Sequence, residues 1–369
     1  MTSPIRVCQF VGNMIGGGVE AVVMNYYRHI DRSKVQFDFV ATEASKLIPH
    51  KEIETLGGRI YIVPAYTSLI AFQRACRDLF HSHPEWKIVH SHMNALSVFP
   101  LREAKRAGVP VRIAHSHSTS GKGEAVRNAA KAVLKTQANR YPTFRFACTE
   151  HAGEWLFGDA PFEVVPNPIE FQRFAFDEEA RYAMRSTWGV TGDELVIGHV
   201  GRWAPPKNQI FLLHVLKELL NAGADARLVL VGEGPDRPAI EREAEDLGVE
   251  GQLIAPGYMD SARVYSGFDV FTFPSRYEGL GMAVMEAQAA GLPCVVSDAV
   301  PRDTDLTGRC RFFPIKDARV WGDAVLEAAD NVCDRKVNLG AQTILRYDAD
   351  AIAAWLTARY QRFYKEAVQ

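Results

Sequence analysis

Glu278 and Glu286 stand on either side of a glycine-containing turn in the run Pro274-Ser275-Arg276-Tyr277-Glu278-Gly279-Leu280-Gly281-Met282-Ala283-Val284-Met285-Glu286. The apolar stretch 270–273 precedes it, so the pattern is strand, Pro-Ser turn, Gly-X-Gly, helix. Glycines let backbone amides approach a ligand closely, and a helix start carries about half a positive charge, so Ser275 and the amides of Gly279, Leu280 and Gly281 suit a phosphate. Two carboxylates beside a phosphate repel it unless they address something neutral. Sugar hydroxyls, which donate to carboxylates, are such a partner. Glu286 alone reads as a solvated helix acid. The whole arrangement gives both acids a binding role.

A second constellation supplies cations: Gly198-His199-Val200-Gly201-Arg202-Trp203-Ala204-Pro205-Pro206-Lys207-Asn208. Here a strand again runs through a loop into a helix. Lys207 falls at the helix start, where a cation is misplaced unless it faces an anion. Arg202 offers a planar fork and Lys207 a point charge, so the pair would clamp a diphosphate and replace a metal ion. Either residue alone reads as surface solvation.

In the first half, His90 and His92, then His115 and His117, lie at the ends of two predicted strands. Alternation puts each pair on one face, so four imidazoles converge. Zinc is one reading, although no carboxylate or thiol stands at useful spacing. Pairing with backbone carbonyls of the sheet is the default for His90 and His92. Upstream, Gly16-Gly17-Gly18-Val19-Glu20-Ala21 fits the letters of the dinucleotide fingerprint, with Glu43 following near the second strand's end. An NAD site is then an option, but Gly16 falls about five residues beyond the predicted strand, late for the tight first turn.

These groups need scaffolds at strand ends. Strands are predicted at 5–11, 37–41, 60–63, 88–90, 111–115, 144–148 and 163–165, with helices near 20–30, 68–80, 95–107, 122–139 and 150–157. The prolines of Val165-Pro166-Asn167-Pro168 stop the pattern, and a charged segment, 175–186, follows. It restarts with strands at 195–200, 227–231, 252–254, 270–273 and 294–297 and helices near 208–222, 236–247, 260–266, 281–290, 318–333 and 349–366. Two α/β halves in tandem place ligands at the carboxyl edges of parallel sheets, facing across a cleft.

The whole chain, 369 residues at a formal net charge of −2, gives no simple argument for nucleic acid. Charge is uneven, however: residues 1–169 carry +6 and nine of the eleven histidines, and the remainder −8. Six scattered cysteines without a CxxC pair exclude the usual zinc and thioredoxin spacings. The N-terminal run has no signal-peptide pattern, and no stretch approaches the ~18 apolar residues of a spanning helix. The expected location is cytoplasmic. Lys122, Arg127, Lys131, Lys135, Arg140 and Arg145 against Glu124 make 122–145 basic, either a solvated face or a dock on anionic lipid at the inner face of the membrane.

Residues 200–208, Val231-Gly232-Glu233-Gly234-Pro235, 274–286 and Gly291-Leu292-Pro293, in that order, resemble the donor-binding half of glycosyltransferase family 4, retaining enzymes of the two-domain GT-B fold. Its two glutamates separated by seven residues match Glu278 and Glu286. Val165-Pro-Asn-Pro-Ile169 resembles the family's interdomain linker. Gly17-Gly18-Val19-Glu20 and Arg112-Ile-Ala-His-Ser-His117 are most similar to bacterial exopolysaccharide and capsule transferases.

The resemblance implies two Rossmann-like domains: an acceptor domain over 1–170 and a nucleotide-sugar donor domain over 190–348, with segment 349–369 placed to pack back on the first. It implies that Arg202 and Lys207 hold the donor diphosphate, Glu286 the ribose hydroxyls and Glu278 the transferred sugar. Backbone at Gly17 and Gly18 would lie near the phosphate, and His117 or His115 would contact the sugar, the doubled His-Ser-His leaving the register open. A UDP-sugar is favoured over a GDP-sugar, the acceptor is a glycan or polyprenyl-linked sugar, and no metal or other cofactor is expected. Asp303-Thr304-Asp305 has the letters of a metal motif but reads as a solvated loop. A nucleotide-sugar 2-epimerase of the same fold, or a non-catalytic sugar-nucleotide binding module, are the rival readings.

Overall fold

The computed structural model describes residues 3–117, 133–330, 335, 337 and 339–368. Lys122, Glu124, Arg127 and Lys131 of the basic segment, and Cys333, lie outside the described residues. The chain divides into two compact units, one of Met1–Pro168 with Leu345–Gln369 and one of Ile169–Ile344.

The first unit is a seven-stranded parallel sheet of β1 (Ile5–Gly12), β2 (Val35–Thr42), β3 (Arg59–Val63), β4 (Ile88–Ser91), β5 (Val111–Ser116), β6 (Phe144–Ala147) and β7 (Glu163–Val164). Their order is β3-β2-β1-β4-β5-β6-β7. Every residue of β2 and β4 is buried, as parallel strands covered on both faces must be. The connection reverses direction at β1, which pairs with β2 on one side and β4 on the other. Ligand crevices form at such points. The terminal helix Ala349–Val368 buries Ile352, Leu356, Tyr360 and Phe363 in the same core as Val7, Val23, Phe37 and Phe146. Their three-to-four residue spacing gives this helix its apolar face.

The second unit repeats the plan with β8 (Leu195–Val200), β9 (Ala226–Val231), β10 (Leu253–Gly257), β11 (Val270–Phe273), β12 (Cys294–Ser297) and β13 (Cys310–Phe313), ordered β10-β9-β8-β11-β12-β13. The reversal point is β8, between β9 and β11. Sequence reasoning omits β13, an edge strand whose four residues are all only partly buried. It also omits the helix Glu178–Thr187 inside the charged segment. Asp177 caps that helix by accepting from the Ala180 amide at 2.9 Å, and Ala180 and Met184 are buried. Arg181 and Arg185 both pair with Asp269, so charges that suggested solvent belong to a packed face.

Candidate active site

In the second unit the loop after β8 and the loop after β11 are tied to each other at the reversal point. The Arg276 amide donates to the Pro206 carbonyl at 2.8 Å, and the Arg276 guanidinium to Asn208 Oδ1 at 3.0 Å. Asn208, at a left-handed φ of 56°, precedes the helix Gln209–Asn221. The third motif closes the ring. A Cβ on Gly234 would lie 2.0 Å from the Trp203 carbonyl oxygen, so only glycine lets these two backbones touch. The Trp203 amide donates to the Glu233 carbonyl at 2.9 Å.

This frame brings Lys207 and Glu278 together, Nζ donating to Oε1 at 2.6 Å. Lys207 also lies over the Phe273 ring, 4.9 Å from its centroid. Arg202, by contrast, is exposed and carries no ion pair among the described residues. Glu286 lies in the helix Met282–Ala289 and accepts from the Tyr265 hydroxyl at 2.7 Å. Burial pushes the Glu286 carboxyl up, against the opposing pull of Tyr265, Arg173 and, more weakly, Lys207. Ser275 is fully buried, and its hydroxyl has no hydrogen-bond partner among the described residues. Gly281 caps the helix at a left-handed φ of 64°, and Leu280 is buried with its carbonyl accepting from Thr304 at 2.7 Å. Asp303 is exposed and Asp305 half-buried, as the reading of 303–305 as a solvated loop expects, but Thr304 between them is fully buried. The loop is pinned because it supports the turn before the helix.

In the first unit the four histidines do converge. His90 Nε2 lies 3.1 Å from His115 Nδ1, and His92 Nδ1 lies 2.8 Å from His117 Nε2. The expected backbone partners of His90 and His92 are corrected: His90 Nδ1 meets the Tyr360 hydroxyl at 2.6 Å, and His92 Nε2 meets Gln9 Oε1 at 2.8 Å. Strand carbonyls are already used by the parallel ladder, so side chains from β1 and the terminal helix serve instead. Burial pushes all four imidazoles below their ordinary range, His117 down to about 3. Nitrogens of His90, His92 and His115 come within 4.8 Å of one another, so these are the residues that could hold a metal. Both ring nitrogens of His90 and of His92 are already engaged in hydrogen bonds, whereas His115 Nε2 has no partner among the described residues.

The glycine loop departs from the dinucleotide pattern. β1 ends at Gly12, Gly17 is the N-cap and the helix begins at Gly18. Glu20 folds back to accept from the Ile15 amide at 2.7 Å, placing a carboxylate where a cradled phosphate would need that donor.

Gln9, Asn94, Tyr265, Asn208, Arg276 and Tyr360 escape sequence reasoning. Asn94 holds the backbone after β5, its side-chain oxygen accepting from the His117 amide at 2.6 Å. Gln9 alone carries a signal, a polar residue inside the apolar run of β1.

Comparison with known proteins places this geometry. A family model described as a glycosyl transferase 4-like domain matches residues 17–168, and one described as glycosyl transferases group 1 matches 194–331. The chain is 35% identical over 340 residues to EpsF of Bacillus subtilis (strain 168), which is named as a glycosyltransferase, covering 89% of this chain and 88% of EpsF. It is 23% identical to the UDP-Gal:alpha-D-GlcNAc-diphosphoundecaprenol alpha-1,3-galactosyltransferase of Escherichia coli, over 90% of this chain and 92% of that one. HepE of Anabaena, solved with UDP and glucose, superposes with a TM-score of 0.81 at 16% identity, covering 97% of this chain and all of HepE.

Proposed function

The chain belongs to glycosyltransferase family 4, the group 1 glycosyl transferases of GT-B fold, and on that premise we propose that it moves a hexosyl unit from a UDP-sugar to a polyprenyl-linked or glycan acceptor. The observation that carries the reading is the Lys207–Glu278 pair at the β8/β11 reversal point, where a phosphate-type cation and a sugar-type acid share one place.

In the proposed reaction Arg202 and Lys207 hold the diphosphate and stabilise its growing charge as the bond to the sugar breaks. The start of the helix Met282–Ala289 adds its dipole, and the amides of Gly279, Leu280 and Gly281 approach the phosphate and sugar. Glu278 accepts from hydroxyls of the transferred sugar and Glu286 from those of the ribose, with the Ser275 hydroxyl left for the donor. An oxocarbenium-like sugar forms without a covalent nucleophile, and the configuration is retained.

The relatives support the choice of substrates. The galactosyltransferase of Escherichia coli is named for a UDP-sugar donor and a diphosphoundecaprenol acceptor, and HepE was solved with UDP. We place the reaction in exopolysaccharide synthesis, in the cytoplasm at the inner face of the membrane. No helix among the described residues is long and apolar enough to cross a membrane.

Thermal protection by UDP and by GDP, each with EDTA present, tests the donor site. Stabilisation by UDP without metal supports the Arg202/Lys207 clamp. Absence of protection by either nucleotide overturns it.

A further inference from the structure

Gln209 is the first residue of the helix Gln209–Asn221, directly after the loop that carries Arg202 and Lys207, and it is almost fully buried. Its amide nitrogen reaches back across that loop and donates to the Arg202 carbonyl at 3.0 Å. The same nitrogen lies 3.3 Å from His199 Nε2 near the end of β8, and His199 Nδ1 meets the Thr272 carbonyl of β11 at 2.9 Å. Two of these partners are backbone carbonyls, which can only accept, and they settle both side chains. Burial holds His199 neutral, with a pKa of about 4, so the Thr272 carbonyl takes its single ring proton on Nδ1. His199 Nε2 is then bare and accepts from Gln209. The reverse orientation of the Gln209 amide is excluded, because it would set an oxygen against the Arg202 carbonyl oxygen and against the bare nitrogen of His199.

The consequence is a loop with its ends tied. Arg202 opens the segment, Gln209 closes it, and the side chain of one holds the backbone of the other. Lys207 belongs to the same closure. A Cβ on Gly201 would lie 3.2 Å from His199 Nε2 and 3.8 Å from both Cδ and Cε of Lys207, so the imidazole and the lysine stem flank one backbone point. Gln209 also leaves its Oε1 buried without a hydrogen-bond partner among the described residues. The amide is oriented for its two donor hydrogens.

We propose that Gln209 is a positioning residue for the diphosphate clamp: anchored on His199, it holds the loop 202–207 in the shape that presents Arg202 and Lys207 together. The phosphate role of those two cations rests on the proposed function. The hydrogen bonds do not. Two long cationic side chains on a slack loop must be ordered when the ligand arrives, and tying the loop beforehand removes part of that cost.

The experiment compares UDP with uridine, which lacks the diphosphate, on the full chain. UDP is measured by calorimetry and uridine by NMR titration. Gln209→Met keeps the length of the side chain and removes both donors. It should weaken UDP about tenfold and uridine by less than about twofold. Gln209→Asn keeps the amide but is one carbon too short to hold both partners, so it should show the same selective loss, and it decides the matter where Gln209→Met does not fold. Equal losses for UDP and uridine, or no loss for either, overturn the positioning role. Ring-nitrogen NMR with ¹⁵N-labelled histidine, His199 being assigned by the signal missing from His199→Asn, should show a protonated Nδ1 and a bare Nε2 in the wild type. That bare nitrogen should move downfield in Gln209→Met as it loses its donor. A proton on Nε2 of His199 in the wild type overturns the network. Lys207→Ala is the reference and should weaken UDP without weakening uridine. If it leaves UDP unchanged, the clamp is wrong and the positioning role falls with it, while the wild-type spectrum, which needs no ligand, still decides the hydrogen bonds.

Discussion

Lys207 Nζ lies 2.6 Å from Glu278 Oε1, joining two residues 71 positions apart in the chain. One comes from the loop that follows β8 and the other from the loop that follows β11, and those strands are neighbours in the sheet. The ammonium that should meet a diphosphate is thus engaged by the carboxylate that should meet the sugar. On the proposed function, a donor entering this place would separate the two, giving the ammonium phosphate oxygens and the carboxylate hydroxyls. Neither charge is then left without a partner.

Competition of this kind has a measurable sign. Glu278→Gln removes the partner of Lys207 and leaves the ammonium free, so UDP should bind about five times more tightly by calorimetry while turnover falls by at least a hundredfold. Lys207→Ala should weaken UDP by tenfold or more. Looser UDP binding in Glu278→Gln would show that the acid supports nucleotide binding instead of competing for the cation.

Tyr265 makes the corresponding prediction for Glu286. Its hydroxyl, fully buried, holds the carboxylate at 2.7 Å, and its own ionisation is suppressed by burial and by that carboxylate. Tyr265→Phe leaves Glu286 without that donor and free to rotate. KM for the nucleotide sugar should rise about fivefold, with kcat changed less, since the proposed contact is to ribose and is made equally in the ground and transition states. A fall in kcat at constant KM would place Glu286 at the reacting sugar.

Gly234 tests the frame and not the chemistry. With a Cβ 2.0 Å from the Trp203 carbonyl, Gly234→Ala must push the loop that carries Arg202 and Lys207 away from β9. UDP affinity should fall at least tenfold, and the melting temperature should drop by several degrees. Gly223→Ala, where a Cβ meets nothing within 4 Å but φ is 84°, controls for backbone strain at a position outside the frame.

How far the sequence reveals this site follows from distance along the chain. The turn from β11 into the helix Met282–Ala289 is local, so Pro274, Gly279, Gly281 and the two glutamates announce it together. Lys207 is visible as a cation at a helix start, but its engagement with Glu278 depends on which strands are neighbours. Gln9 and Tyr360 are harder. They lie 351 positions apart and meet only because the terminal helix returns to the first sheet. The histidine spacing shows convergence through strand alternation, whereas the partners of those rings come from elements that periodicity does not connect. The helix Glu178–Thr187 is hidden for another reason, since its arginines belong to a half-buried ion-pair face and resemble solvated charge.

Buried imidazoles make stability depend on pH, with a sign that can be derived. His90, His92, His115, His117 and His199 are all held neutral by burial, His117 with a pKa of about 3 and His199 of about 4. The unfolded chain binds a proton at each as pH falls through about 6.5, while the folded chain does not. Their contribution is therefore fully present above pH 6.5 and is lost as the solution is acidified toward pH 4, at about 1.4 kcal/mol per pH unit for each ring. Glu286, whose carboxyl is pushed up, acts in the opposite direction, but it is one group against five. The melting temperature should fall by at least ~5 °C between pH 7 and pH 5. Unfolding at pH 5.5 should take up about four protons, measured by calorimetry in buffers of different ionisation enthalpy. Uptake of one proton or none would mean that the histidine array is charged or solvated in the folded chain.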